Sequence, residues 1–363
     1  MESTGAIKWQ QSIGGELENV KKTLGTIGFE LEDNQPHLSG ERFLMTKEKL
    51  VLIGKRISDD AKVVIKISNH KAGIKEIEHE KNARNILHDV SFSEKNILFP
   101  KDIYYGEKDG FLILITEFIA QERVFVAHTL EEQFFMILKT FEAIENFHAT
   151  TFEHIKTIKY AFPIFYAQEY FKNFESFRKT IAKNYKDAEL EDTLSKSENF
   201  LRINKAVIDR YANYLTHTDL VPHNFRVKDG HVYLLDTASV CFGNKYEGWA
   251  RFLNYMVIHN PALEKLLVNY IKTNRGAKEY LNLRLMRVYK IIELLEFYSR
   301  SLPKTDGDLR ALTIERIVFW HNIMKAILDD ITIEEELVKN YTKKRDELRT
   351  EEEKERQREF AVA

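Results

Sequence analysis

Apolar positions change their spacing once along this chain, near residue 120. Before that point short alternating or β-branched runs dominate, and after it apolar residues recur every three or four positions over long stretches. Arg42–Thr46, Lys49–Ile53 and Lys62–Ile67 predict three strands, separated by turns at Lys47-Glu48 and Asp59-Asp60. Ile74, Ile77, Ala83, Ile86 and Leu87 give an imperfect helical stripe that predicts a helix over 74–88. Two more strands are expected near Ile103–Tyr105 and Phe111–Ile115. Beyond Gln121 the pattern predicts helices over 130–148, carried by Phe134, Ile137, Leu138, Phe141 and Ile144, and over 168–185, carried by Phe171, Phe174, Phe177 and Ile181. Further helices are expected over 199–215, 248–259, 262–272, 277–302 and 312–330, and only six prolines occur to interrupt them. Asp229-Gly230 between two apolar runs is a hairpin signal. Residues 1–38 contain a short helical pattern over 16–24 and little else. Residues 331–358 form a charge-dense helical pattern with a thin apolar stripe of Ile333, Leu337 and Tyr341, which fits a solvated helix or a partner-binding tail. There is no internal repeat.

Composition narrows the class. A chain of 363 residues is too long for one compact core, so two lobes are expected. Apolar residues make up 44% and charged residues 30%, an ordinary globular balance. A net charge of −2 carries no electrostatic footprint of a nucleic-acid partner. The single cysteine, Cys241, cannot form an internal disulfide, and no Cys/His cluster has zinc spacing. It is read as a small buried residue and not a nucleophile. The start Met1–Gly5 lacks the apolar segment of a signal peptide. The longest apolar run, 111–120, is broken by Thr116 and Glu117 and is too short to span a bilayer. The expectation is a cytoplasmic protein with no membrane span.

The chemistry is concentrated in His217-Thr218-Asp219-Leu220-Val221-Pro222-His223-Asn224, followed by Asp236 after the run Val232–Leu235. Phosphoryl transfer needs one carboxylate to orient and deprotonate a hydroxyl, and an amide oxygen and a second carboxylate to hold the metal. The spacing H-x-D-x-x-x-x-N is that of a kinase catalytic loop. It makes Asp219 the general-base candidate and Asn224 and Asp236 the candidate ligands of Mg²⁺, a hard ion that prefers oxygen. The hairpin brings both ligands to one end of two short strands. The bland alternative is a polar surface loop whose Asp and Asn form turns. His217 fits a hydrogen-bonded brace better than a proton carrier. Lys66 sits inside a β-branched run, where a lysine is costly to bury unpaired, yet Lys62 shares its face and allows an outward-facing position. Glu76 and Glu80 fall on one face of the expected helix, one turn apart.

HTDLVPHN followed by LLDTAS resembles the aminoglycoside phosphotransferase and choline kinase group, whose usual form is close to HGDLHPGN, then a strand and a metal-binding Asp. Leu220 and Pro222 are part of the match, and Phe147–Thr151 is similar to the Leu-His-x-x-Thr ending of that group's first C-lobe helix. The resemblance covers residues 40–330 and is specific at the catalytic loop. It implies an α+β, protein kinase-like two-lobe fold. An N-lobe over 39–120, a small antiparallel sheet plus one helix, would bind nucleotide. A larger helical C-lobe over 121–330 would carry the catalytic hairpin. Residues 1–38 would be an N-terminal extension and 331–363 a charged C-terminal helix. It implies ATP and Mg²⁺ as cofactors and a small-molecule hydroxyl acceptor of aminoglycoside, amino alcohol or sugar type. Lys66 would contact the α- and β-phosphates, and family phasing selects Glu80 as its helix partner. Thr116–Ile119 would be the hinge, with the Glu117 carbonyl and the Ile119 N–H reading adenine.

Three departures from the group's pattern matter. The turn Thr46–Lys49 lacks glycine, Thr218 replaces the usual Gly, and Asp236 is followed by Thr237-Ala238. They keep a second reading open, a catalytically silent kinase-like binding protein. A protein kinase fits less well, because there is no Ala-Pro-Glu element and little room for an activation loop. For the acceptor pocket, Glu247, Glu293 and Glu296 supply acid and Trp249, Tyr255, Tyr289 and Trp320 supply rings, most of which are better suited to the core.

Overall fold

The computed structural model describes residues 4–33, 35, 49–89, 97–159, 161–351 and 353–354, with side chains from residue 15 on except those of 147–157. Helix α1 (Thr4–Thr26) leads into β1 (Phe29–Leu31), β2 (Leu50–Arg56), β3 (Lys62–Ser68), α2 (Lys71–Asp89), the two-residue β4 (Ile97–Leu98), β5 (Asp102–Lys108) and β6 (Phe111–Glu117). Five of these strands form one sheet in the order β1-β2-β3-β6-β5, antiparallel throughout. Period-two alternation sorts its faces. Val63, Ile65, Ile67, Leu52, Ile113 and Ile115 pack with Val20 and Leu24 of α1. Leu112 and Leu114 turn to the other face and pack with Ile77 of α2. Lys66 stands opposite Val51 and Leu114 on that second face.

The N-terminal region departs from expectation. The short helix over 16–24 is the second half of α1, and β1 pairs with the far end of β2, Phe29 against Arg56. An unexpected strand, β1, thus occupies the edge of the sheet beside β2. The strand expected over 42–46, and residues 46–48 of the expected turn, lie outside the described residues.

The remainder is mostly helical. Helices α3 (Leu130–Ile158), α4 (Ala167–Asn184), α5 (Ala188–Ile203) and α6 (Lys205–Arg210) precede β7 (Tyr214–His217), β8 (Phe225–Lys228), β9 (His231–Leu234) and β10 (Val240–Gly243). Then come α7 (Glu247–His259), α8 (Pro261–Asn274), α9 (Ala277–Ser301), α10 (Gly307–Leu328) and α11 (Glu335–Leu348). The buried α9 packs against α4, α7 and α10. Trp249 of α7 stacks on Phe141 of α3 at 3.8 Å between ring centres, which fixes α7 beside the short strands. No described helix is long and apolar enough to cross a membrane.

The helix expected over 199–215 is broken. Asn204 ends α5 and begins α6, and its side-chain amide donates to the Phe200 carbonyl at 2.8 Å, a local bond that competes with helix continuation. Asn213 takes φ +66°, and the chain then enters β7. The C-terminal helix is not solvated all round. Val338 and Tyr341 of α11 are buried, and Tyr341 stacks on Phe319 of α10 at 4.0 Å.

One close approach seats the functional elements. A Cβ on Gly248, in the first turn of α7, would lie 2.7 Å from the His217 carbonyl oxygen, which is backbone and cannot swing aside. Gly248→Ala should therefore push α7 away from β7 and destabilise the fold by about 1–3 kcal/mol, read as a lowered midpoint in urea denaturation with an unchanged slope.

Candidate active site

Residues 218–224 form a loop clamped at both ends. β7 pairs with β10, His217 opposite Val240, and Thr218 donates its N–H and its hydroxyl to the Ser239 carbonyl at 2.8 and 3.0 Å. Leu220 and Val221 are buried and anchor the middle. Pro222 opens a single 3₁₀ turn that ends at Asn224. β8 and β9 then pair around Asp229 and Gly230, both at positive φ, as an Asp-Gly hairpin turn demands. Arg226 donates Nη1 to the carbonyls of Pro222, His223 and Phe225, which locks the loop backbone from below. His217 donates Nε2–H to the Asp236 carbonyl at 2.7 Å, and burial pushes its pKa down, so it is a neutral brace between the loop and the turn after β9.

Asp219 is held from two sides. Its Oδ2 accepts from Asn224 Nδ2 at 2.9 Å, and its Oδ1 accepts from Arg251 Nε of α7 at 2.7 Å. The Asn224 amide also donates to the Asp219 carbonyl at 2.8 Å, which leaves its own oxygen turned away from Asp219. Burial alone would raise the Asp219 pKa, but Arg251, with help from Lys290, outweighs it and holds the carboxyl down at about 2. The group is ionised at any working pH.

Asp236 presents a different environment. Its Oδ2 accepts from the Ser239 hydroxyl at 2.9 Å, while its Oδ1 is buried without a partner among the described residues. A buried carboxylate oxygen left unmatched is costly. Lys66 and Lys49 nevertheless overcome the burial penalty and lower its pKa. An ionised, unsatisfied carboxylate oxygen suits a hard cation that completes its shell with further oxygens from phosphates and water. Among the described residues no cluster of three or more His, Cys, Asp or Glu could hold a metal unaided.

The structure brings Lys66 and Glu80 together. Lys66 Nζ donates to Glu80 Oε1 at 2.5 Å, and Arg84 Nη2 donates to the same oxygen at 2.7 Å. Glu80 is fully buried, and Arg84 continues the chain of charges to Asp102 at 2.5 Å. The competing Glu76 pairs instead with Lys49 at 3.1 Å. Thr237 donates its hydroxyl to the Glu80 carbonyl at 3.1 Å, so α2 is tied directly to the turn that carries Asp236. Glu117 ends β6, with its N–H bonded to the Lys101 carbonyl, and Ile119 follows in the extended link to the helical part. Both lie on the connection between the lobes, apart from the Lys66–Glu80 pair.

Two site residues escaped sequence reading. Lys49 precedes β2, and Asp236, Glu80 and Glu76 outweigh the burial that opposes its charge. Arg251 reaches Asp219 from α7, 32 positions away in sequence. Neither carries a motif, because each arrives by tertiary placement. Of the candidate acceptor rings, Trp249, Tyr289 and Trp320 are core residues. Only Tyr255 meets the loop, through its hydroxyl and His223 Nε2 at 3.0 Å.

No protein-family model matches the chain, and no curated protein sequence matches it. Solved structures do. The complex of APH(2")-IIia with GDP and kanamycin superposes with a TM-score of 0.58 at 14% identity, covering 82% of this chain and 93% of that one. Macrolide 2'-phosphotransferase MphH from Brachybacterium faecium gives 0.56 at 11%, covering 83% and 98%. Plasmodium vivax ethanolamine kinase gives 0.50 at 14%, covering 82% and 84%. The chain has the protein kinase-like fold. Within that kinase-like frame the small sheet with α2 forms one lobe and the helices the other. Asp219, Asn224 and Asp236 sit on the helical side of the junction, with Lys66 and Glu80 on the sheet side.

Cys241 lies on β10 behind this kinase-like junction, 3% exposed, and burial, reinforced by Glu247, pushes its thiol well up. A buried neutral thiol is a poor nucleophile. Ellman's reagent at pH 8 should find no reactive thiol in the native protein and one after denaturation.

Proposed function

We propose that this protein is a member of the aminoglycoside phosphotransferase and choline kinase-like group, an ATP- and Mg²⁺-dependent enzyme that moves the γ-phosphate to a hydroxyl of a small molecule. The observation that carries this reading is the pairing of an ionised Asp219, held by Asn224 and Arg251, with an Asp236 whose Oδ1 is buried and unmatched. The Lys66–Glu80 pair supplies a fixed ammonium where the α- and β-phosphates would lie. Solved proteins of the same fold carry ADP, GDP or ATP, which supports a nucleotide between the lobes.

Each residue has a role in this reading. Magnesium, held by Asn224 and Asp236 together with phosphate oxygens, would neutralise charge as the terminal phosphoryl group leaves. Asp219 accepts the acceptor's O–H and points its lone pair at phosphorus. With a pKa of about 2 it is a weak base, so its main contribution is orientation, and it takes the proton only as the new O–P bond forms. Lys66 neutralises the diphosphate side, and Lys49, just before β2 at the same end of the β2–β3 pair, faces Asp236 and Glu80.

Saturating ATP with Mg²⁺ at 100 times its Kd should add about 2.7 kcal/mol of stability and raise the melting temperature by several degrees. A wild-type protein that shows no such shift would leave the silent binding protein as the better account. Asp219→Asn should keep the nucleotide-dependent shift but lose turnover by roughly 10²–10⁴-fold, measured as ADP release with a panel of alcohols. Asp236→Ala should lose the magnesium-dependent part of the shift; an unchanged magnesium response would remove Asp236 from the metal site.

A further inference from the structure

The two oxygens of Asp219 have different partners. Oδ2 meets Asn224, on the side of the candidate metal ligands, and Oδ1 meets Arg251. Arg251 therefore holds the oxygen that the candidate metal ligand Asn224 does not take. Among the described residues its Nε–Oδ1 bond is the one hydrogen bond it makes, and neither terminal amino group meets a protein acceptor. The side chain keeps 22% exposure. A guanidinium held by Nε presents its Nη1–Nη2 edge as a planar fork, the shape that binds a carboxylate or phosphate through two parallel bonds.

The carboxylates expected to receive a cationic acceptor are already matched. Glu293 and Glu247 share Lys290, the second at 3.5 Å, and Tyr170 also donates to Glu247 at 2.6 Å. Glu296 pairs with Arg300 at 3.0 Å. A polycation entering here would have to displace the buried Lys290 from Glu247 and Glu293, whereas an anion finds the Nη edge of Arg251 without a protein acceptor. We propose that the free edge of Arg251 recognises an anionic group, carboxylate or phosphate, carried by the acceptor close to its reacting hydroxyl. This rests on the phosphotransferase reading and adds a substrate class to it. The transferring phosphoryl group is the less fitting occupant, since it belongs with the metal ligands on the Oδ2 side.

The test uses matched alcohols that differ only in charge, glycerate, glycerol and aminopropanediol, and a longer series of gluconate, glucitol and glucamine. Each is titrated calorimetrically into protein saturated with Mg²⁺ and a non-hydrolysable ATP analogue. In at least one series the anion should bind saturably and about tenfold tighter than its neutral counterpart, with the amine weakest. Arg251→Gln should abolish that preference while nucleotide affinity stays within about twofold, and Arg251→Lys, which keeps charge but not the fork, should fall between. The inference is overturned if no anion is preferred in either series, if the amine binds best, or if the preference survives Arg251→Gln. It is also overturned if Arg251→Gln weakens the nucleotide instead, which would place the fork on the phosphoryl group. Failure of the wild type to bind the nucleotide analogue at all would strike the phosphotransferase reading itself and is seen before any alcohol is added.

Discussion

Glu80 holds a carboxylate with no solvent exposure between two cations, Lys66 and Arg84, and hands its backbone carbonyl to Thr237. Taking such charges out of water is expensive, and the attraction between them repays it only with good geometry. Removing one partner would leave an uncompensated buried charge, at a cost of about 3–5 kcal/mol. The arrangement therefore gives less to bulk stability than to position. It fixes the Lys66 ammonium relative to α2 and, through Thr237, fixes α2 relative to Asp236. The two lobes meet through this charge-linked contact and through Ala83 and Leu87 of α2, which are buried with the apolar core of the helical part.

On the helical side the same logic governs Asp219. Leu220 and Val221 bury the loop's apolar residues, Arg226 ties down its carbonyls, and His217 fastens it to the Asp236 turn, so the carboxylate has little freedom left. Arg251 and Asn224 then take one oxygen each. What remains unsatisfied is instructive. Asp236 Oδ1 and the Arg251 amino groups are among the polar atoms near the loop that the described residues leave unmatched or open, beside Thr216 Oγ1, His217 Nδ1 and Glu80 Oε2. Asp236 offers a cation-seeking oxygen and Arg251 an anion-seeking fork. In proteins whose buried polar groups are nearly all paired, such atoms are where ligands are to be sought.

Much of the framework was legible in the chain. The β-branched run around Lys66, the helical phase of α2, the Asp-Gly hairpin and the H-x-D-x-x-x-x-N spacing depend on neighbours a few positions apart, and local periodicity encodes those directly. The break at Asn204 was missed because a helical pattern continues across it, and only the pairing of β7 with β10 pulls the following residues into a strand. The role of α1 and β1 was missed for a similar reason. A three-residue strand has no periodicity to detect, and its place is decided by the edge of β2.

Sequence by itself determined the residue types of the site and their local spacing, since an Asp, an Asn five positions on and a hairpin leading to a second Asp are features of one continuous segment. Tertiary structure decided which charges meet. It chose Glu80 over Glu76 for Lys66, brought Lys49 toward Asp236, placed Arg251 against Asp219, and sent Trp249, Tyr289 and Trp320 into the core. The physical reason is that these pairings join segments from 14 to more than 180 positions apart. Coulomb attraction and burial act on distance in space, and no pattern along the chain records that distance until the helices and sheet have packed.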